Sequence, residues 1–175
     1  MKGISPLDRE PDAPVRCYVA LGANLGHAAE TLNAAVERID ALPATRVTAR
    51  SSFYGTEPID SSGPDYTNAV VEIETELGAR DLLHRLQTIE NDFGRVRPQG
   101  VHNAPRTLDL DVLSYGETIS DEAELVLPHP RMHLRAFVLV PLIEICPHAS
   151  IPGKGPAQAF LSAVADQRIE RLVES

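Results

Sequence analysis

Two aspartates that are separated by a single residue are the groups in this sequence best suited to chemistry. Asp109 and Asp111 lie near the end of a stretch that runs from His102 to Leu113 and reads HNAPRTLDLDVL. Successive side chains of a strand point to opposite faces, so the two carboxylates are expected on one face, roughly 7 Å apart. At an effective dielectric of about 20, two such charges repel by about 2 kcal/mol, and a cation between them removes that cost.

The chemistry that this pair favours is the binding of Mg²⁺ together with a polyphosphate. Hard oxygen ligands in pairs suit Mg²⁺, which usually shares its coordination shell with substrate phosphates. Two ions here would bridge phosphates of ATP and offset charge in an in-line displacement. The preceding residues 94–108 include no acid but three arginines, Arg95, Arg97 and Arg106. An exposed polar strand face with incidental acids is the alternative, and these arginines, which suit bidentate phosphate contacts, weigh against it.

A second polar cluster follows at Pro128–Phe137, where the sequence is PHPRMHLRAF. Proline is typical of a first helical turn, so we predict a third helix from Pro130 to about Val140. Arg131 and Arg135 would then share a face one turn apart. Together with the helix N-terminus they would form a candidate anion site, although plain surface arginines fit the pattern as well.

Two histidines and a polar helical pair give weaker signals. His129 and His133 would suit a metal pair, but no third ligand stands out nearby. Gln87 and Glu90 are three residues apart and share a face of a predicted helix, which by itself indicates only its solvated side. The sequence contains no GxxxxGK(S/T) loop and no protein-kinase motif set. A nucleotide enzyme built on it must therefore hold phosphate with arginine and Mg²⁺.

The elements that position these residues follow from the apolar periodicity. Strands are predicted over Cys17–Leu21, Val47–Tyr54, Asn68–Glu76 and Thr107–Tyr115, and helices over Ala28–Ala41, Ala79–Phe93, Pro130 to about Val140, and Ala157–Val164. The core order βαββαβ predicts the α+β class, with a ferredoxin-like antiparallel sheet, two helices on one face and extra C-terminal helices.

Strand parity predicts that the polar residues share one cleft. The apolar residues at alternate positions of two predicted strands would face the helices: Ala69, Val71, Ile73, Leu108, Leu110 and Val112. Asn68, Asp109 and Asp111 then point away from the helices, on the same side of the sheet.

The bulk composition limits the partners and the compartment. At 175 residues the chain has the size of one domain, predicted as residues 15–175 behind a loose tail of residues 1–14 that is rich in proline and charge. The net charge of −9 argues against nucleic acid. We expect neither a membrane span nor a signal peptide, because the chain lacks suitable apolar runs. Cys17 and Cys146 lack CxxC spacing and are expected to be reduced thiols of a cytoplasmic protein.

Taken together, these motifs resemble the 6-hydroxymethyl-7,8-dihydropterin pyrophosphokinase family of folate synthesis. The resemblance extends from about Tyr18 to Ala149 and is strongest from His102 to Leu113. Supporting matches, in the order and spacing of the family, are Leu21-Gly22-Ala23-Asn24-Leu25, Ser51-Ser52-Phe53-Tyr54, Pro64-Asp65-Tyr66-Thr67-Asn68-Ala69, Gly94-Arg95-Val96-Arg97 and Pro128-His129. Each motif alone is weak, whereas their combination is specific.

The resemblance implies a ferredoxin-like, monomeric enzyme that binds ATP, two Mg²⁺ ions and the pterin together. Pyrophosphate would pass from ATP to the pterin hydroxymethyl group, with release of AMP. By position, Asp109 and Asp111 match the metal ligands, and Asp111 is also placed to take the hydroxyl proton. Arg95 and Arg106 match two loop arginines that act on the phosphates. The residues that match the pterin pocket are Thr56, Pro58, Tyr66, Asn68 and Phe137. Those that match the ATP side are Gln87, Glu90, Arg97, His129 and Arg135.

Departures from the family pattern concern the loops. The loop between Arg97 and His102 is one residue longer than in well-known members, and Asn103 stands where those have a tryptophan. Pro130 replaces a common aromatic residue, and Glu124 stands where some members have an arginine near the nucleotide. Two functions of other classes fit the bare scaffold: a small-molecule sensor domain without turnover, and a metal-dependent phosphohydrolase.

Overall fold

The computed structural model of the chain describes residues 4–23, 27–56, 66–94 and 108–172. Its strands are β1 (Val15–Ala23), β2 (Thr45–Arg50), β3 (Tyr54–Thr56), β4 (Tyr66–Thr75), β5 (Asp109–Tyr115), β6 (Ser150–Ile151), β7 (Gly155–Pro156) and β8 (Ile169–Arg171). Its α-helices are α1 (Ala28–Asp40), α2 (Ala79–Gly94) and α3 (Ala136–Ile145), and short 3₁₀ helices cover Met132–Leu134, Ala157–Phe160 and Ser162–Val164.

The main sheet has six strands in the described part of the chain, and all of its strand pairs are antiparallel. Its order is β5-β1-β4-β3-β8, and β2 also pairs with β4. The inner strands β1 and β4 form a ladder from Val15 opposite Thr75 to Ala23 opposite Thr67. The predicted ferredoxin-like core is confirmed. The elements follow in βαββαβ order: β1, α1, β2 with its continuation β3, β4, α2 and β5.

Residues 51–53 divide the predicted strand Val47–Tyr54 into β2 and β3. The backbone N–H of Ser51 donates to the Val70 carbonyl at 2.9 Å, and the Ser51 hydroxyl accepts from the Val70 N–H at 2.9 Å. Ser52 turns its own N–H and hydroxyl towards the carboxylate of Glu144 in α3. Side-chain contacts therefore replace the regular ladder here, which explains the interruption.

The third helix begins later than predicted, so the prediction of a helix from Pro130 is wrong. The chain forms a 3₁₀ turn at Met132–Leu134, passes through an extended residue at Arg135 (φ −128°, ψ 116°), and becomes α-helical only at Ala136. Arg131 and Arg135 therefore do not share the face of one helix. None of the helices in the described ranges combines the length and apolar character needed to cross a membrane.

The predicted fourth helix, Ala157–Val164, is also corrected. The segment is two 3₁₀ turns that meet at Leu161, and its hydrogen bonds run from Leu161 N–H to the Gln158 carbonyl and from Val164 N–H to the Leu161 carbonyl. Bonds between residues three apart close a tighter turn than an α-helix, and runs of them are short.

The two faces of the sheet carry separate apolar clusters. Helices α1 and α2 cover one face, whose buried strand residues include Cys17, Val19, Leu21, Ala69, Val71, Ile73, Leu108, Leu110 and Val112. Helix α3 and the C-terminal segment cover part of the other face, whose buried residues include Val70, Leu113, Met132, Val138, Leu139 and Leu142. The predicted parity of the apolar residues is confirmed. By the same alternation, Asn68, Asp109 and Asp111 belong to the α3 face.

Part of the predicted N-terminal tail is packed against the fold. Leu7 is fully buried in the cluster under α1 and α2. Its carbonyl accepts a hydrogen bond from the Arg80 N–H at 2.8 Å, and the Asp8 carboxylate lies 2.6 Å from the Arg80 Nε. One apolar side chain and one cation of α2 thus anchor a segment whose composition suggests a loose tail.

Leu7→Ala is expected to lower the free energy of unfolding by about 2–4 kcal/mol, because it removes a buried side chain and leaves a cavity in the core. Urea unfolding followed by circular dichroism measures the change. Ile4→Ala, in the same segment but at a side chain that is 69% exposed, is the matched control and should change stability by less than about 0.5 kcal/mol. Equal stability of the two variants would show that the segment does not contribute to the core.

Candidate functional site

A line of residues across three strands forms the floor of the candidate site. In the sheet register, Gly22 of β1 lies opposite Asn68 of β4 on one side and opposite Asp109 of β5 on the other. In the neighbouring line, Ala20 lies opposite Val70 and Asp111. We refer to Asn68, Gly22 and Asp109 as the Gly22 row. In this row, Gly22, which has no side chain, lies between the amide of Asn68 and the carboxylate of Asp109.

Gly22 keeps this floor open. A Cβ atom at residue 22 would lie 3.1 Å from the Asn68 Oδ1, which is tighter than ordinary van der Waals contact. The amide cannot easily move away, because Asn68 is buried and its Nδ2 donates to the Thr56 Oγ1 at 2.6 Å. Gly22 is not among the predicted site residues; the signal that could have indicated it is a glycine inside an otherwise apolar strand.

Three of the predicted pterin-pocket residues, Thr56, Tyr66 and Asn68, come together at one end of the Gly22 row. Thr56 of β3 lies opposite Tyr66 of β4, and the side chain of Thr56 bonds to that of Asn68. The hydrogen bond fixes which end of the Asn68 amide faces Gly22, and it leaves Oδ1 on that side. The cluster offers an amide oxygen and an aromatic ring, which suit a flat heterocycle with polar edges.

The carboxylates of Asp109 and Asp111 lie two residues apart on β5, on the face opposite α1 and α2. Asp109 is partly exposed and Asp111 is exposed. Within the described ranges, no group of three or more His, Cys, Asp or Glu side chains is arranged to hold a metal ion. Two carboxylates without a third protein ligand fit Mg²⁺, because that ion commonly takes its remaining ligands from water and substrate phosphates.

A groove of about 390 Å³ lies along the outer edge of β5, next to the carboxylate pair. It is lined by α2, by β5 and by the segment from Ala123 to Pro130. The acidic lining residues are Glu90, Asp109, Asp111 and Glu124, and among the described lining residues there is no arginine or lysine. An anionic ligand in this groove therefore needs cations from elsewhere, either as bound metal or as arginines of another segment.

Gln87 and Glu90 of α2 both line this groove. The Glu90 Oε2 accepts a hydrogen bond from the Leu110 N–H at 2.7 Å. This bond ties α2 to the outer edge of β5 between the two aspartates and satisfies a backbone donor that the sheet edge leaves open. Gln87 is exposed one helical turn away.

His129 is held against β5 and lines the groove. Its backbone N–H donates to the Leu113 carbonyl at 2.8 Å, and its Nδ1 accepts from the Arg131 N–H at 3.1 Å. In the neutral ring this assigns the proton to Nε2. Burial lowers the pKa of His129; the charge of Asp111 opposes this shift, and the charges of Arg135 and Arg131 add to it.

Arg135 does not line the groove, but its charge interacts with those of two residues that do, His129 and Asp111. Burial lowers its pKa, the neighbouring Asp111 raises it, and Arg131 lowers it. The guanidinium carbon lies 5.3 Å from the centre of the Phe137 ring, which is within cation–π range. His133, the other predicted polar residue here, instead packs edge-on against Phe160 with ring centroids 5.3 Å apart.

Glu124, which lines the groove, contacts Arg80 and His84 of α2. Arg80 donates to its carboxylate, and His84 Nε2 lies 3.4 Å from it. Arg80 also bonds to Asp8 and Glu122. These contacts join the N-terminal segment, α2 and the groove wall, and no local sequence pattern indicates them because the partners are 40–72 residues apart in the chain.

Four predicted site residues lie outside the described residues: Pro58, Arg95, Arg97 and Arg106. The start of the HNAPRTLDLDVL stretch, residues 102–107 with Asn103, lies outside them as well. Their roles remain predictions. Among the described residues, Asn68 and Asp109 lie on either side of Gly22 in the sheet, and both aspartates line the groove.

Comparison with known proteins gives a consistent result. Residues 18–147 match the family described as 7,8-dihydro-6-hydroxymethylpterin-pyrophosphokinase. A 2-amino-4-hydroxy-6-hydroxymethyldihydropteridine pyrophosphokinase of Haemophilus influenzae is 42% identical over 159 residues, which covers 90% of this chain and 98% of that protein. Proteins with the same name from Pseudomonas aeruginosa and Methylorubrum extorquens are 41% and 45% identical, each over 90% of this chain and over 96% and 98% of their own lengths.

Solved structures show a similar fold. The crystal structure of a Plasmodium falciparum HPPK-DHPS triple mutant aligns with 91% of this chain at a TM-score of 0.69 and 11% sequence identity. At that identity the likeness concerns the fold alone. The chain spans 46% of the Plasmodium chain, so it corresponds to less than half of that protein.

Glu144 fixes α3, the helix that directly follows Arg135 and contains Phe137, onto the sheet. Its carboxylate accepts from the Ser52 N–H at 2.9 Å, the Ser52 hydroxyl at 2.7 Å and the Tyr54 hydroxyl at 2.7 Å. Burial raises the pKa of Glu144, but the hydrogen bonds from Tyr54 and Ser52 outweigh it, so the pKa lies below its ordinary value of 4.5. The carboxylate form therefore stabilises the fold.

The stability that Glu144 provides should depend on pH. Because its pKa is lower in the folded state, the contribution is complete above about pH 4.5 and is lost as the pH falls through the folded-state pKa. The difference in unfolding free energy between wild type and Glu144→Gln should shrink between pH 5 and pH 3, measured by urea unfolding. Glu117→Gln, at an exposed acid, controls for the loss of one charge. A constant difference at every pH would contradict the assignment.

Proposed function

The chain belongs to the 7,8-dihydro-6-hydroxymethylpterin-pyrophosphokinase family, and from this premise we propose how its residues carry out the reaction. The protein is an ATP-dependent diphosphotransferase that acts in folate biosynthesis. It transfers pyrophosphate from ATP to the hydroxymethyl group of 6-hydroxymethyl-7,8-dihydropterin and releases AMP. Identity of 41–45% over 90% of the chain supports this function over a sensor domain or a phosphohydrolase.

One observation supports the assignment of the substrates: the aspartate pair lies where two different surfaces meet. Towards the centre of the sheet is the Gly22 row, with the Asn68 amide at its far end. Towards the outer edge is the groove between α2, β5 and the segment from Ala123 to Pro130. We assign the pterin to the inner surface and the nucleotide to the groove, so that the reacting oxygen and phosphorus meet at the carboxylates.

The pterin pocket is assigned to five residues: Thr56, Pro58, Tyr66, Asn68 and Phe137. The Asn68 amide is held by Thr56, so it is preorganised to accept a hydrogen bond from a ring N–H or amino group. The rings of Tyr66 and Phe137 provide flat apolar surface for the heterocycle.

Asp109 and Asp111 would hold two Mg²⁺ ions, and bound there the ions would supply positive charge that offsets the acidity of the groove. Asp111 is also assigned as the base. The pterin hydroxymethyl oxygen attacks the β-phosphorus of ATP, its proton passes to the Asp111 carboxylate, and the bond from the β-phosphorus to the bridging α,β-oxygen breaks. AMP leaves with that oxygen, and the two terminal phosphates remain on the pterin.

The phosphates are assigned to cations from outside the described groove lining, because that lining is acidic. Arg95 and Arg106 act on the transferred phosphates, and they would be worth most where water is excluded. The remaining ATP contacts are assigned to Gln87, Glu90, Arg97, His129 and Arg135. The neutral His129 ring can donate from Nε2, while Arg135 provides a positive charge that interacts with the charge of Asp111.

We further propose that the chain functions as a monomer in the cytoplasm, with small molecules as its only required partners. Its net charge of −9 disfavours nucleic acid. Residues 15–175 form one catalytic domain in this proposal, and the packed part of the N-terminal segment belongs to it structurally through Leu7.

The assay that tests the function combines the protein with ATP, Mg²⁺ and 6-hydroxymethyl-7,8-dihydropterin and separates the products chromatographically. AMP and the pterin diphosphate should form in equal amounts. Release of inorganic phosphate without the pterin would indicate a phosphohydrolase. Binding of the pterin without AMP formation would indicate a sensor.

Asp109→Ala and Asp111→Ala are each expected to lower kcat by at least about 100-fold, since each removes a metal ligand and Asp111 also removes the base. The thermal unfolding temperature should change little, because both side chains are at least partly exposed. Asp121→Ala removes an exposed acid outside the groove lining and is the matched control. Near-normal turnover in both site variants would overturn the metal assignment.

Arg106→Ala should lower kcat by about 100-fold while KM for the pterin changes by less than about threefold, because the arginine acts on the phosphates in the transition state. Steady-state kinetics with each substrate varied in turn separate the two effects. Arg46→Ala, at an arginine of β2 that pairs with Glu74, serves as the control for the loss of one positive charge. An unchanged kcat in Arg106→Ala would remove this residue from the phosphate site.

A further inference from the structure

The C-terminal segment contacts the chain on both sides of the predicted substrate residues. It lies after residue 147, where the family match ends. Strand β8 pairs with β3, which carries Thr56, and the Leu172 N–H donates to the Phe53 carbonyl at 2.8 Å. Gln167, just before β8, reaches the other side of the site, at the start of α3.

Gln167 bonds to the two peptide groups that flank Arg135. Its Oε1 accepts from the Ala136 N–H at 2.8 Å, and its Nε2 donates to the Leu134 carbonyl at 2.8 Å. The Ala136 N–H is among the first donors of α3, which have no acceptor within the helix. The residue at the N-cap position, Arg135, makes no side-chain capping bond, so a side chain 31 residues away caps the helix instead.

These two bonds hold the break between the 3₁₀ turn and α3. In a continuous helix the Leu134 carbonyl would accept from the Val138 N–H, and the Ala136 N–H would donate to the Met132 carbonyl. Gln167 occupies both groups, and Val138 N–H donates to the Arg135 carbonyl at 3.1 Å instead. The local sequence from Pro130 to Val140 by itself favours one helix, so an external partner is needed to keep Arg135 extended.

We propose that Gln167 is a positioning residue for the nucleotide: by bonding to both neighbouring peptide groups, it keeps Arg135 extended and its guanidinium over the Phe137 ring. This inference rests on the proposed role of Arg135 on the ATP side. The direction of a side chain depends on the backbone dihedral angles of its residue. Insertion of Arg135 into a helix would rotate the guanidinium away from its place over the Phe137 ring, 5.3 Å from the ring centre.

Gln167→Ala tests this inference in the full-length protein. KM for ATP should rise about tenfold, whereas KM for the pterin should change by less than about twofold. The ¹³Cα chemical shift of Arg135 should move from an extended towards a helical value. Gln158→Ala is the matched control, because Gln158 also bonds from its side chain to a backbone carbonyl of this region, that of Pro147 at 2.8 Å. The control should leave both KM values and the Arg135 shift unchanged.

A double-mutant cycle with Arg135→Ala separates positioning from general structural support. In the Arg135→Ala background, Gln167→Ala should cause no further rise in KM for ATP. An equal rise in both backgrounds, or equal weakening of both substrates, would overturn the inference. If Arg135→Ala weakens ATP but Gln167→Ala does not, the inference alone fails. If Arg135→Ala leaves KM for ATP unchanged, the proposed ATP role of Arg135 fails, and the inference fails with it.

Discussion

Repulsion among carboxylates at the outer edge of the sheet is the interaction on which the site depends. Asp109 and Asp111 share one face of β5, and Glu90 and Glu124 line the same groove. The fold neutralises part of this charge itself: Arg80 pairs with Glu124, and Glu90 is hydrogen-bonded to the edge of β5. In the proposed reaction, the remaining negative charge is offset by the metal ions that Asp109 and Asp111 would bind. An enzyme that handles a triphosphate gains from this arrangement, because binding of cations and binding of phosphates become mutually dependent.

In the proposed arrangement, the antiparallel sheet places surfaces for both substrates next to this charge. Alternation along β4 and β5 buries one set of side chains under α1 and α2 and leaves Asn68 and the aspartates on the α3 face. Gly22 connects them, since its missing side chain leaves space between the amide and the carboxylate. Helix α3 covers only part of this face, held by Glu144 at one end and by Gln167 at the other.

Local patterns were enough to predict the parts of the fold that depend on neighbours in sequence. Helices α1 and α2 and strands β4 and β5 lie within about two residues of their predicted bounds, because amphipathic periodicity defines them. The extended Arg135, the 3₁₀ turns at 157–164 and the burial of Leu7 were not predictable in this way. The extended Arg135 and the packed N-terminal segment depend on partners far away in the chain, Gln167 and Arg80 respectively. In the site, strand parity predicted the sheet face on which Asp109, Asp111 and Asn68 lie. No local sequence pattern indicates the ion pair of Glu124 with Arg80.

The burial of Leu7 has a practical meaning for where this protein can be cut or extended. The family match starts at residue 18, inside β1, so a truncation at that boundary would remove Leu7 from the core and shorten the β1–β4 ladder. The folding unit is thus longer than the stretch that matches the family. Fusion partners or affinity tags attached ahead of Met1 would leave the core side chains in place, whereas a minimal version trimmed to residues 18–147 would start from a damaged hydrophobic core.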